Sequence, residues 1–134
     1  MNKVLILGSG SFAGSSLVDF LLNKNYKIIG VNRSINKNKY FLPFINNRNK
    51  KNLSLLKINI NKKNELFRLL KIIKNNKIDY ILDFLGQGMV SQSWDNPDDW
   101  IQTNVLNKLK IIKFIIKKKI KIKKYIRIST PEVY

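Results

Sequence analysis

At 134 residues the chain has room for one domain with a modest core. It contains no cysteine and no histidine, which excludes disulfides and thiol chemistry and removes the usual metal ligand and general base, so no metal site is expected. The formal charge of +18 invites a nucleic-acid reading, but Lys, Asn and Ile dominate throughout while alanine occurs only as Ala13, so lysine reads as a default solvated residue and no specific nucleic-acid partner is expected.

Residues 4–7 read as a first, fully apolar strand. A Gly/Ser-rich turn follows, then a helix over 13–23 with Leu17, Val18, Leu21 and Leu22 on its inward face. Residues 26–31 make a second strand. The stretch 32–52 is polar and broken by Pro43, with Tyr40, Phe41 and Phe44 expected to pack locally. A third strand is predicted over 53–60 and a helix over 62–75, where Leu66, Leu69, Leu70 and Ile73 recur at helical spacing. Residues 78–85 form a fourth strand, leading into a glycine-containing loop. The next predicted helix is long, 98–118, with Ile101, Val105, Leu109, Ile112 and Ile116 as its inward stripe. Residues 125–129 complete the set as a fifth strand. This alternation predicts an α/β fold, a doubly wound parallel sheet of the Rossmann type in the order 3-2-1-4-5, within a single domain over 1–134. Its ligand crevice is expected at the carboxyl ends of strands 1 and 4. No apolar run reaches membrane-spanning length and no secretory leader is evident, so a cytoplasmic protein without a membrane partner is expected.

The turn Gly8-Ser9-Gly10-Ser11-Phe12-Ala13-Gly14 joins a buried strand to a helix start through small residues, which lets backbone N–H groups and the positive helix end approach a pyrophosphate. Two spacings fit: Gly8-x-Gly10-x-x-Ala13, or Gly8-x-x-Ser11-x-x-Gly14. The second requires Ser11 to keep a negative φ. A branched side chain at Gly14 is expected to abolish cofactor binding and leave the fold nearly intact. An ordinary strand-to-helix turn is the competing reading. At the end of strand 2, roughly 20 to 25 residues beyond Gly8, a carboxylate ordinarily holds the ribose 2′-hydroxyl. Here Asn32 and Arg33 stand in that place. Loss of the carboxylate removes repulsion against a 2′-phosphate that a guanidinium can grip, so NADP(H) is expected over NAD(H), with NAD left open.

Taken in order, several segments resemble the extended short-chain dehydrogenases/reductases, specifically the NAD-dependent epimerase/dehydratase family. The turn at Gly8 to Gly14 is similar to that family's glycine motif, which assigns Gly8, Ser11, Phe12, Ala13 and Gly14 to the cofactor. Asn59-Ile60 occupies the family's Asp-hydrophobic site that contacts adenine, with Asn in place of Asp. Phe84-Leu85-Gly86-Gln87-Gly88-Met89-Val90-Ser91-Gln92-Ser93-Trp94, then Pro97 and Asn104, resembles the Leu-Ala-Ala-Gln segment with its downstream Ser, Pro and Asn, and implies cofactor contact at Leu85 and Gly86. Ser129-Thr130-Pro131-Glu132-Val133-Tyr134 resembles the stretch that ends strand 5. The resemblance gives Thr130 the hydroxyl that meets the substrate C4 oxygen, and Glu132 the position of a catalytic acid/base. Pro131 replaces the acid of the 4,6-dehydratases, which shifts the expected chemistry toward epimerase or reductase.

The family's Tyr/Lys pair, spaced by four residues, is not found: Tyr26, Tyr40, Tyr80 and Tyr125 are followed at that spacing by Gly30, Phe44, Phe84 and Ser129. The resemblance therefore implies the N-terminal half of a nucleotide-sugar enzyme, truncated after strand 5 and inactive alone, with a nucleotide sugar as its substrate in the intact protein. A homo-oligomer is compatible with it. The rival expectations are a catalytically silent NADP-binding or redox-sensing module and, from charge alone, a nucleic-acid-binding protein.

Overall fold

The structure is a computed structural model that describes residues 2–35, 39–88 and 90–129. Five short strands form one parallel sheet in the order β3-β2-β1-β4-β5, as the sequence predicts. Central β1 (Lys3–Leu7) pairs with β2 (Lys27–Asn32), Leu7 opposite Val31, and with β4 (Tyr80–Asp83), Leu7 opposite Asp83. β3 (Leu53–Lys57) lies outside β2, and β5 (Lys124–Arg127) outside β4. β3 ends three residues earlier than the sequence suggests. Its partner β2 ends at Asn32, opposite Lys57, so the apolar residues Ile58 and Ile60 have no ladder to join, although both are buried.

The chain divides into two compact units. The first comprises the residues up to Lys57, Ile78–Phe84 and those from Ile122 onward, and so contains the whole sheet together with α1 (Phe12–Asn23). Val18 and Leu22 of α1 join Val4, Ile6, Ile28, Leu42 and Phe44 in one buried cluster. Leu5, Leu7 and Ile81 point to the opposite face of the sheet and are just as buried, which is why these strands read as continuous rather than alternating apolar runs. Of the three aromatics expected to pack locally, Phe44 enters the core while Tyr40 and Phe41 are exposed. Pro43 opens a short 3-10 turn that directs Phe44 inward. On β5 the Tyr125 hydroxyl donates to the fully buried Asp83 carboxylate at 2.9 Å, and burial together with that carboxylate pushes the phenol pKa up.

The second unit covers Ile58–Lys77 and Leu85–Lys121. α2 (Lys63–Asn75) buries Leu66, Leu69 and Ile73, as its periodicity predicts. The long predicted helix is instead α3 (Val90–Asp95), α4 (Pro97–Ile101), a π-helical turn over Gln102–Leu106 and α5 (Asn107–Lys117). Its predicted inward stripe is wrong: Ile101, Val105, Leu109, Ile112 and Ile116 are exposed. The buried positions are Thr103, Asn107, Lys108, Ile111 and Ile115. Polar anchors select that face. Asn61 Oδ1 accepts from Thr103 Oγ1 at 3.1 Å and from Asn107 Nδ2 at 2.9 Å, and a buried amide so satisfied fixes the helix rotation more firmly than a second apolar row can. Among the described residues no helix is long and apolar enough to cross a membrane.

At the amino end of the sheet, Asp79 accepts from the Lys3 N–H at 2.8 Å and pairs with Lys123 Nζ at 3.0 Å. The backbone donor and then the ammonium hold its carboxyl below the usual range. A depressed carboxylate stabilises the fold fully above its unfolded pKa of about 3.9 and loses that contribution as pH falls through the lower folded value. Asp79→Asn is therefore expected to flatten the acid limb of stability against pH, measured by thermal unfolding from pH 7 downward. An equally steep limb in the variant contradicts this role.

Candidate functional site

In the first unit, β1 runs into Gly8, whose φ of 82° lies in the left-handed region that favours glycine. Gly8 donates to the Val31 carbonyl at 2.7 Å, and its own carbonyl accepts from Ser11 N at 3.0 Å and Ser11 Oγ at 2.8 Å. The same Ser11 Oγ accepts from Gly14 N at 3.1 Å and so caps α1. With φ of −70°, Ser11 meets the condition set by the Gly8-x-x-Ser11-x-x-Gly14 spacing. Gly14 meets it more strictly: a Cβ there would stand 2.3 Å from the Gly8 carbonyl oxygen and 2.7 Å from Ser11 Oγ. Phe12 projects into solvent at 91 % exposure, and the N–H groups of Phe12 and Ala13 have no acceptor within the helix. Together with the helix dipole they form a place for an anion.

Asn32 closes this turn. Its Oδ1 accepts from Gly10 N at 2.6 Å and its Nδ2 donates to Ser9 Oγ at 2.9 Å, so the side chain is directed into the loop and is 8 % exposed. Arg33 is exposed, and among the described residues its guanidinium has no hydrogen bond or ion pair. The first unit thus brings together Gly8, Ser11, Phe12, Ala13, Gly14, Asn32 and Arg33.

The second unit holds the remaining described candidates. Asn59 is occupied in starting α2: its Oδ1 accepts from Asn61 N at 3.0 Å, and its own N–H donates to Glu65 at 2.5 Å. The Ile60 side chain is 5 % exposed and lines a cleft of about 430 Å³ with Leu66, Phe67, Leu70 and Lys110. In the loop after β4, Asn104 grips Gln87 at both ends, accepting from its N–H at 2.9 Å and donating to its carbonyl at 3.1 Å. Lys108, one turn further along, donates through Nζ to the Leu85 carbonyl. Lys108 had no signal in the sequence, because lysines occur throughout it. A Cβ on Gly86 would meet only Asn104 Oδ1, at 3.8 Å, and one on Gly88 nothing within 4 Å. The fold itself does not demand glycine at either position, so the backbone there is open to close approach by a ligand. Thr130 and Glu132 lie outside the described residues.

The helix start of the first unit fits the pyrophosphate of a dinucleotide, with N–H groups that have no acceptor within the helix. Among the described residues of that turn no carboxylate stands ready for a ribose diol. The model of the GDP-mannose 4,6 dehydratase family matches residues 5–134, nearly the whole chain. The chain belongs to that family. It is thereby a member of the extended short-chain dehydrogenases/reductases. It is 27 % identical over 140 residues to an uncharacterized protein of Methanocaldococcus jannaschii, covering 98 % of this chain and 40 % of that protein. It is 26 % identical over 110 residues to a UDP-glucose 4-epimerase of Klebsiella pneumoniae, covering 82 % of this chain and 77 % of the other. The fold is that of the UDP-glucose 4-epimerase of Bifidobacterium longum solved with NAD+ and UDP, at a TM-score of 0.78 and 24 % identity over 99 % of this chain. The chain spans 38 % of that structure's length.

The family's glycine loop is held here by a contact that tolerates no side chain. Gly14→Ala is expected to cost about 1–3 kcal/mol, since a methyl group forced against a carbonyl must move the helix start. Lower stability and loss of binding are therefore expected together, where the sequence alone suggests a nearly intact fold. Thermal unfolding followed by circular dichroism checks it; a wild-type melting temperature contradicts it.

Proposed function

We propose that this chain is the cofactor-binding part of an enzyme that acts on a nucleotide-activated sugar by transient oxidation at C4, and that it prefers NADP(H) to NAD(H). The observation that carries the cofactor preference is the turn of Asn32 into its own loop, with an exposed Arg33 beside it. No carboxylate stands at that position to accept from a ribose diol or to repel a 2′-phosphate, and a guanidinium suits a phosphate bidentately. The N–H groups of Phe12 and Ala13 hold the pyrophosphate. Asn59, through the side-chain group that faces away from its turn, and the backbone of Ile60 meet the adenine, and Leu85 and Gly86 line the rest of the dinucleotide. A nicotinamide dinucleotide supplies the hydride acceptor. On this reading Thr130 orients the sugar C4 oxygen, and Glu132 is the neighbouring acid/base group.

Family membership supports the nucleotide-sugar chemistry, and the Bifidobacterium epimerase, solved with NAD+ and UDP, supports a dinucleotide in this fold. A homo-oligomer is part of the same reading, because the row Ile101, Val105, Leu109, Ile112 and Ile116 offers an apolar face to another protein surface.

Calorimetric titration with NADPH and NADH tests the cofactor assignment. The expected result is at least tenfold tighter NADPH binding, reduced to near parity in Arg33→Ala, since one charge-assisted contact to the 2′-phosphate is worth about 1.5–3 kcal/mol. Preference for NADH, unaffected by the substitution, overturns it. Given a UDP-hexose, the same sample is expected to bind cofactor without turnover; sustained epimerisation by these residues alone would overturn the proposed division between binding and catalysis.

A further inference from the structure

Lys108 is 2 % exposed, on the buried face of α5, and its ammonium donates to the Leu85 carbonyl. A buried ammonium is costly unless its hydrogens are well received, and an apolar side chain of similar length would fill the same space at less cost. Packing therefore does not account for a lysine here. One turn earlier on the same helical face, Asn104 makes paired hydrogen bonds to Gln87. Two residues four apart thus grip positions 85 and 87, with Gly86 between them and Gly88 immediately beyond. A backbone containing two glycines has wide conformational freedom, and the glycines here have open space above them. Such a loop presents a defined surface only if it is held from behind.

We propose that Lys108 is a positioning residue for the dinucleotide: together with Asn104 it clamps the 85–88 backbone in the shape the cofactor meets. This rests on the cofactor-binding reading above and deepens it, because it assigns cofactor affinity to a side chain that need not touch the ligand. The chemistry required of position 108 is a hydrogen-bond donor that reaches the Leu85 carbonyl from inside the helix.

Titration of the full chain with NADPH, followed by nucleotide fluorescence, tests the proposal in the wild type, Lys108→Met and Lys108→Gln. Methionine keeps the length and loses the donor; glutamine keeps a donor and loses the charge. The expected result is binding weakened about tenfold in the methionine variant and largely restored in the glutamine variant, with similar melting temperatures in both. Wild-type affinity in Lys108→Met overturns the proposal, as does a glutamine variant no better than the methionine one. Should the methionine variant fail to fold, the wild type still decides the matter. One lysine side-chain 15Nζ resonance should be protected from solvent exchange and should shift on saturation with NADPH; the absence of any such shift overturns the clamp. A wild type that binds neither NADPH nor NADH removes the cofactor reading itself, whereas a binding wild type with an indifferent Lys108→Met removes only the clamp.

Discussion

The contact between Gly14 and the Gly8 carbonyl is the constraint on which the site depends. It seats the first turn of α1 against the end of β1 so closely that the position of a single Cβ is taken by a backbone oxygen. The helix start then lies beside the carboxyl end of the central strand, where its unpaired N–H groups and dipole can meet an anion. Ser11 secures this arrangement from both sides, donating to Gly8 and capping Gly14. One hydroxyl thereby replaces the conformational freedom that a middle glycine would have brought to the loop.

Amides then take over work that carboxylates and glycines do in the usual pattern. Asn32 binds a donor and a hydroxyl in its own loop, which a carboxylate would do only if Ser9 turned its proton around. In the second unit, Asn61 and Asn107 lock the π-helical turn to the start of α2, and Asn104 holds Gln87. The abundance of asparagine is therefore not just surface composition. At these positions its paired donor and acceptor satisfy backbone and side-chain groups that burial would otherwise leave unmet.

The sheet was legible in the sequence because both its faces are buried, so that β1, β2 and β4 appear as apolar runs with helical patterns between them. The glycine turn was legible as well, since only small residues allow a helix to start so near a strand. The face of the helix after β4 was not. Apolar residues occupy two rows of that helix, and counting them favours Ile101, Val105, Leu109, Ile112 and Ile116, all of which are exposed. Buried Thr103 and Asn107 decide the rotation through Asn61, a partner 42 and 46 residues away in the chain. In the same way, the place of Asn32 could be read from its spacing after Gly8, but the direction of its amide could not. Lys108 was hidden among identical residues, and only its burial marks it out.

A 15N chemical-shift titration of the chain with NADPH tests the central claim most directly. The claim is that the strand-to-helix turn of the first unit receives the pyrophosphate of a dinucleotide. The largest shifts within that unit are predicted at the amides of residues 11–15 and 32–34. Shifts confined instead to the cleft around Phe67, Leu70 and Lys110, or no shifts at saturating NADPH, would contradict it.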